Sequence, residues 1–255
     1  MQLPGALLDA IRFLTVVPVP DSPEAMAPDW LARAMKFFPV VGAGIGAASA
    51  LVLLVANEFW SPVMSALLAV TTSIVLTSAL HEDGLADTVD SFGGGWTLEK
   101  RLAIMKDSRI GTYGALALGL GVMLRVTAIS DLPMWAGPAA LIAAHAAARA
   151  APAFVMNNMA YAGDTATMKV AYVEAPVRRD ELRFALVVVA LAALPLALVS
   201  LWAVIVGWLG GALLAWLLAK WSRRLLGGYT GDVLGATEQL FEIGFLLGVA
   251  AAIST

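Results

Sequence analysis

The chain contains no cysteine, which excludes disulfides, thiolate nucleophiles and cysteine-based metal centres. Charge is scarce as well: 14% of the residues are charged and 60% are hydrophobic, whereas an ordinary soluble domain is about 25% charged. A soluble fold built from these 255 residues would leave large apolar patches in water. A secretory signal is not expected at the start, because Asp9 and Arg12 interrupt the first apolar stretch and no basic region precedes it. Residues Leu7 to Val17 read instead as a short amphipathic helix lying at a membrane interface.

What the chain does have is long apolar runs. A crossing helix needs roughly 20 mostly apolar residues. Phe37 to Ala56, Ser61 to Leu80, Gly111 to Ser130, Met134 to Met156 and Leu234 to Ile253 each qualify. Leu182 to Ala219 is too long for one crossing and divides into two near Ser200. The expectation is an all-α, polytopic membrane bundle of about seven transmembrane helices, forming a single domain over 1–255.

Of the 16 Lys and Arg residues, all but Arg125 and Arg149 fall in alternate connections of this scheme. The connections near Asn57–Trp60, Asp131–Pro133 and Ser200 hold none. That asymmetry predicts a cytoplasmic basic side and a cytoplasmic N-terminus. Arg125, Arg149, His145, Glu238 and Glu242 lie inside expected spans, where ionisable groups are costly and face the protein interior. An ion pair between a buried Glu and Arg125 or Arg149 is the plain structural reading of that set.

The segment His81-Glu82-Asp83-Gly84-Leu85-Ala86-Asp87-Thr88-Val89-Asp90 is the most chemically suggestive. If the second span continues through it, Asp83, Asp87 and Asp90 share one helix face, within an arc of roughly 60°. Three carboxylates on one face repel one another unless a cation sits among them, and oxygen-only ligands suit Mg²⁺ or Mn²⁺. Glu82 is a further candidate ligand. Gly84 is expected to let a substrate approach the backbone, and Ser91-Phe92-Gly93-Gly94-Gly95 to break the helix. Two Gly-rich helix starts add candidates for binding phosphate or substrate. One holds Lys106, Asp107, Arg109, Thr112 and Tyr113. The other holds Tyr229, Thr230 and Asp232, with Glu238 deeper in the same helix. The polar 157–183 connection offers Asn157, Asn158, Asp164, Thr165, Thr167 and Lys169.

HEDGLADTVD at 81–90, IMKDSRIGTYGALAL at 104–118 and GGYTGDVLGATEQLFEI at 227–243 resemble the cobalamin synthase family of adenosylcobinamide-GDP ribazoletransferases. RFLTVVPVP at 12–20 and KFFPVVGAGIG at 36–46 fit as well, so the similarity covers nearly the whole chain. The resemblance implies a Mg²⁺-dependent transferase of the inner membrane. It joins adenosylcobinamide-GDP to α-ribazole or its 5′-phosphate and releases GMP, with a ribose 5′-hydroxyl as nucleophile. On that reading Glu82, Asp83, Asp87 or Asp90 holds the metal, and Asp87 or Asp90 accepts the hydroxyl proton. His81 is a further catalytic candidate, and Lys106 and Arg109 neutralise phosphate. The implied partners are the two substrates and the lipid bilayer, with a second copy of the chain or other cobamide-assembly proteins as further candidates and no nucleic acid. Two alternatives stand beside it. A CDP-alcohol phosphotransferase also uses spaced aspartates, but Asp83-Gly84 lacks the Ala-Arg pair such enzymes carry next. A transporter is expected to show inverted repeats, which are not evident in this chain.

Overall fold

The computed structural model describes residues 4–21, 29–163 and 177–253. In chain order its helices are α1 Gly5–Leu14, α2 Trp30–Met35, α3 Phe38–Asn57, α4 Pro62–Leu76, α5 Leu80–Gly94, α6 Leu98–Met105, α7 Thr112–Ser130, α8 Gly137–Asn158, α9 Arg179–Val199, α10 Leu201–Leu226 and α11 Gly231–Ile253. Among the described residues there is no strand, only one isolated bridge between Tyr161 and Tyr229. Among the described residues six helices are long and apolar enough to cross a membrane: α3, α7, α8, α9, α10 and α11. A seventh crossing exists if the bent pair α4–α5 counts as one.

Local chemistry sets several of the boundaries. Ser61 accepts a hydrogen bond from the Met64 amide at 3.4 Å and starts α4, with Pro62 in its first turn. Ser200 ends α9 and caps α10 by accepting from the Ala203 amide at 3.1 Å, which places the expected division of the long apolar run. Thr230 accepts from the Val233 amide at 3.3 Å and opens α11.

The second apolar run departs from expectation. Its helix stops at Leu76 rather than passing into the acidic segment, and α5 leaves at 90° to α4. The break lies at Ser78 and Ala79, whose φ angles are 52° and 56°. Neither residue is glycine, so this left-handed turn is strained. Its polar groups are nevertheless satisfied: the Thr77 hydroxyl donates to the Ser73 carbonyl, and the Val16 amide donates to the Leu76 carbonyl at 2.8 Å. The same contact draws the chain after α1 to the start of α5. At the other end, α5 runs through Ser91 to Gly94 without the expected break.

Most of α8 is buried and most of α9 is exposed, so α8 is the axis of the bundle and α9 faces outward. Large apolar side chains on the outer helices, among them Leu198, Leu201 and Leu209, are exposed as lipid contact requires. Exposed Trp60, Trp135 and Trp202 sit at the short connections, and Trp96 and Trp221 toward the opposite end, an interfacial aromatic pattern. At that opposite end the connections are stitched together. The Ala162 amide donates to the Tyr229 carbonyl and the Tyr229 amide to the Ala160 carbonyl, joining the α8–α9 and α10–α11 connections, while Arg223 donates to the Asn158 carbonyl and Arg101 to the Leu225 carbonyl.

A carboxylate-lined cavity at the basic end of the bundle

Gly84 explains how the acidic helix meets the rest of the site. A Cβ at Gly84 would lie 2.8 Å from the Asp232 carbonyl and 3.3 Å from the Gly235 Cα. The glycine therefore lets α5 press against the first turns of α11, and it also lines the cavity formed there. This approach brings Asp83 and Asp232, from two different helices, to the wall of one 340 Å³ cavity. His81, Arg149 and Glu238 also line it. The remaining wall is apolar and comes from α1, α2, α3 and α8: Phe13, Leu14, Leu31, Met35, Phe38, Pro152 and Met156. Asp83 is exposed and borders a second, 530 Å³ hollow lined by Arg12, Thr15 and the strained Ser78–Ala79 turn.

Behind this cavity lies a buried ionic cluster spanning four helices. Arg125 of α7 reaches Glu82 of α5 at 3.1 Å and Glu242 of α11 at 3.3 Å. On α8, Arg149 reaches Glu238 at 2.8 Å, and His145 reaches Glu242 at 3.0 Å. His81 completes it, 3.8 Å from Glu238. Three carboxylates face two guanidiniums, so with both imidazoles neutral the cluster carries one surplus negative charge. The ion pairing expected for Glu238 and Glu242 is therefore present, and it also claims Glu82. His145, Glu238 and Glu242 bring ligand atoms within 4.8 Å of one another. Two guanidiniums already neutralise those carboxylates, however, so the geometry is that of an ion-pair network rather than a Mg²⁺ centre.

The remaining candidates separate into distinct places. Asp90 is buried, and its two oxygens accept from the Gly111 amide at 2.7 Å and the Gly114 amide at 2.8 Å. The glycine-rich start of α7 thus gives two of its amides to a carboxylate of the protein, where a substrate phosphate was expected. Lys106, Asp107, Arg109, Thr112 and Tyr113 lie around this start, and none of them lines the 340 Å³ cavity. Arg109 grips Asp107 in a two-point pair, 2.7 Å at its shortest; these hydrogen bonds hold the Asp107 carboxyl down at about 2. Tyr229 is buried against Tyr161, with ring centroids 5.6 Å apart, and Thr230 serves as the α11 cap. Asn157 clamps Val177 through both its amide atoms, and Asn158 bonds to Phe154. Asp164, Thr165, Thr167 and Lys169 lie outside the described residues. The roof residues Phe13, Leu31 and Met35 were not anticipated as site residues, since an amphipathic start offers no chemical signal.

Of the expected metal ligands, Glu82 pairs with Arg125 and Asp90 accepts from the α7 amides. Asp83 lines the cavity together with Asp232, and Asp87 follows Asp83 by one turn of α5. In donor chemistry the carboxylate oxygens of Asp83 and Asp232 fit a hard divalent cation such as Mg²⁺.

These features define a polytopic helical membrane protein with an acidic cavity at the end where its Lys and Arg residues collect. The model of the family described as cobalamin-5-phosphate synthase matches residues 6–250, and the chain belongs to that family. It is 40% identical over 239 residues to an adenosylcobinamide-GDP ribazoletransferase of Shewanella piezotolerans, covering 92% of this chain and 91% of the relative. A ribazoletransferase of Leptothrix cholodnii is 40% identical, covering 96% and 94%, and one of Azorhizobium caulinodans is 43% identical, covering 94% and 93%. No solved structure matches the chain.

Proposed function

We propose that this protein joins adenosylcobinamide-GDP to α-ribazole or its 5′-phosphate and releases GMP, closing the nucleotide loop of cobalamin. A ribose oxygen attacks the phosphorus attached to the cobinamide side chain. The bond from that phosphorus to the oxygen it shares with GMP breaks, GMP departs with the electron pair, and the attacking hydroxyl loses its proton to a base. The observation that carries the reading is the meeting of Asp83 and Asp232 at one cavity wall, from two helices that pack closely at Gly84. Asp83 and Asp232 would hold Mg²⁺, which when bound supplies positive charge to the phosphate oxygens and the leaving GMP.

The family description supports a different nucleophile from the ribose 5′-hydroxyl. A product named cobalamin-5-phosphate carries its phosphate on the ribose 5′ oxygen, so that oxygen is already esterified and a secondary ribose hydroxyl must attack. The amide bonds that Asp90 accepts favour Asp87 as the base of the two candidates. A carboxylate beside the attacking hydroxyl accepts its proton as the phosphorus–oxygen bond forms.

The cavity opens at the end of the bundle bearing Arg12, Arg33, Lys36, Lys100, Arg101, Arg178, Arg179 and Arg223. Positive charge collects on the cytoplasmic side of membrane proteins, which supports a cytoplasmic working face and N-terminus in the inner membrane. The test is GMP release by the purified protein supplied with adenosylcobinamide-GDP and α-ribazole, with and without Mg²⁺. Metal-dependent release that needs both substrates is expected; no such release would overturn the reading.

A further inference from the structure

Granting the reaction proposed above, we propose that the 340 Å³ cavity is the acceptor site. It takes the flat apolar base of the ribazole nucleoside against the roof formed by α1, α2 and α3, with the ribose directed to Asp83.

Three observations converge on that occupant. The first is size. A volume of 340 Å³ lies at the small end of ligand pockets, about 300–1,000 Å³; it admits a nucleoside and excludes a corrin ring. The second is the two-sided lining. Phe13 and Phe38 stack with their centroids 5.7 Å apart and an 18° interplanar angle, and Leu31 and Met35 extend the same apolar roof. The polar part of the lining is His81, Asp83, Arg149, Asp232 and Glu238. A dimethylated benzimidazole joined to a ribose has the same two sides: a planar ring poor in hydrogen-bonding groups, suited to aromatic and aliphatic contact, and a hydroxylated sugar.

The third observation is access: Asp83 lines both this cavity and the neighbouring 530 Å³ hollow. The donor then meets Asp83 from its other side, where the 530 Å³ hollow begins. On this arrangement α1 and α2, which cross nothing, determine which lower base is used.

The test uses the purified full-length protein and measures two quantities: equilibrium binding of α-ribazole without donor, and initial rates with each substrate varied. Leu31→Phe and Met35→Phe fill the roof, and Met35→Leu conserves it. The filled variants should weaken α-ribazole binding and raise its KM about tenfold or more. Their KM for adenosylcobinamide-GDP should stay within about twofold of the parent's, and Met35→Leu should behave as the parent. An unfolded variant loses both affinities, so only the selective loss supports the assignment. Unchanged α-ribazole affinity in both filled variants, or a rise confined to the donor KM, overturns it while leaving the reaction intact. A parent that binds α-ribazole but releases no GMP overturns the reaction instead.

Discussion

The two ends of α5 put the same residue type to opposite uses. Asp83 and Asp90 are seven residues apart on one helix face, about 10 Å along the axis. Asp83 is exposed at the wall of a cavity it shares with Asp232. Asp90 is buried with both oxygens on the amides of Gly111 and Gly114. A carboxylate that already accepts two short amide hydrogen bonds is a structural cap, and one facing a cavity beside another carboxylate is a site for a cation or a proton. Spacing along a helix says which groups share a face; the neighbouring helix decides what each of them does.

The largest expected effect falls at the first of these ends. Asp83→Asn and Asp232→Asn should each reduce GMP release on the order of 10²-fold or more, the scale at which charge-stabilising groups act in transfer chemistry. Both should retain the parent's thermal midpoint in detergent, because the buried ionic cluster that ties the helices together stays intact. A near-normal rate in either variant would dissolve the distinction between the two ends.

The same end is anchored from behind by Arg125, which holds Glu82 and Glu242 in a buried setting. Arg125→Met strands two carboxylates and should cost about 3–5 kcal/mol of stability, seen as a large drop in thermal midpoint. Adding Glu82→Gln should recover part of that loss. Recovery of stability without recovery of rate would show that the ion pair also aims the first turn of α5.

Much of this arrangement is legible in the residues themselves. The apolar runs predict the crossings, and the polar Ser200 marks the α9–α10 turn because its hydroxyl is able to cap α10. Arg125, Arg149, Glu238 and Glu242 are expected to find one another, since charges within a membrane must be paired. The 90° break is not legible: Leu76 to Leu80 contains neither glycine nor proline, and Ser78 and Ala79 adopt left-handed backbone against their own preference. Nor is the fate of Asp90, because the glycines of the α7 start read equally well as a phosphate cradle and as room for a carboxylate. The roof of Phe13, Leu31 and Met35 is invisible for a different reason: apolar residues on short helices acquire meaning only from what they cover.

A smaller effect is expected at the far end of α5. Asp90→Asn keeps one acceptor but loses the charge on the α7 amides, and should cost about 0.5–2 kcal/mol, the range for losing a helix cap. Rate should fall only as far as α7 is displaced, and the Mg²⁺ dependence should match the parent's. A raised Mg²⁺ requirement in Asp90→Asn, measured by titrating metal against GMP release, would return Asp90 to the metal site.

The smallest effect belongs to the exposed pair beyond that end. Arg109 lowers the Asp107 carboxyl from its ordinary 3.8 to about 2 by hydrogen bonding. A carboxyl depressed in the folded state contributes stability above its ordinary value, and loses it as pH falls toward the lowered one. The pair is therefore fully charged across the neutral range and adds no pH dependence there. Arg109→Ala should leave the pH profile of kcat/KM superimposable on the parent's between about pH 5 and 9, with the KM for adenosylcobinamide-GDP changed by about threefold or less, as for other exposed ion pairs. The donor is too large for the cavity and must extend over this end of the bundle. A rise of about tenfold or more in the donor KM alone would therefore mean that its phosphates rest on the α6–α7 connection, so that both ends of α5 serve the substrate.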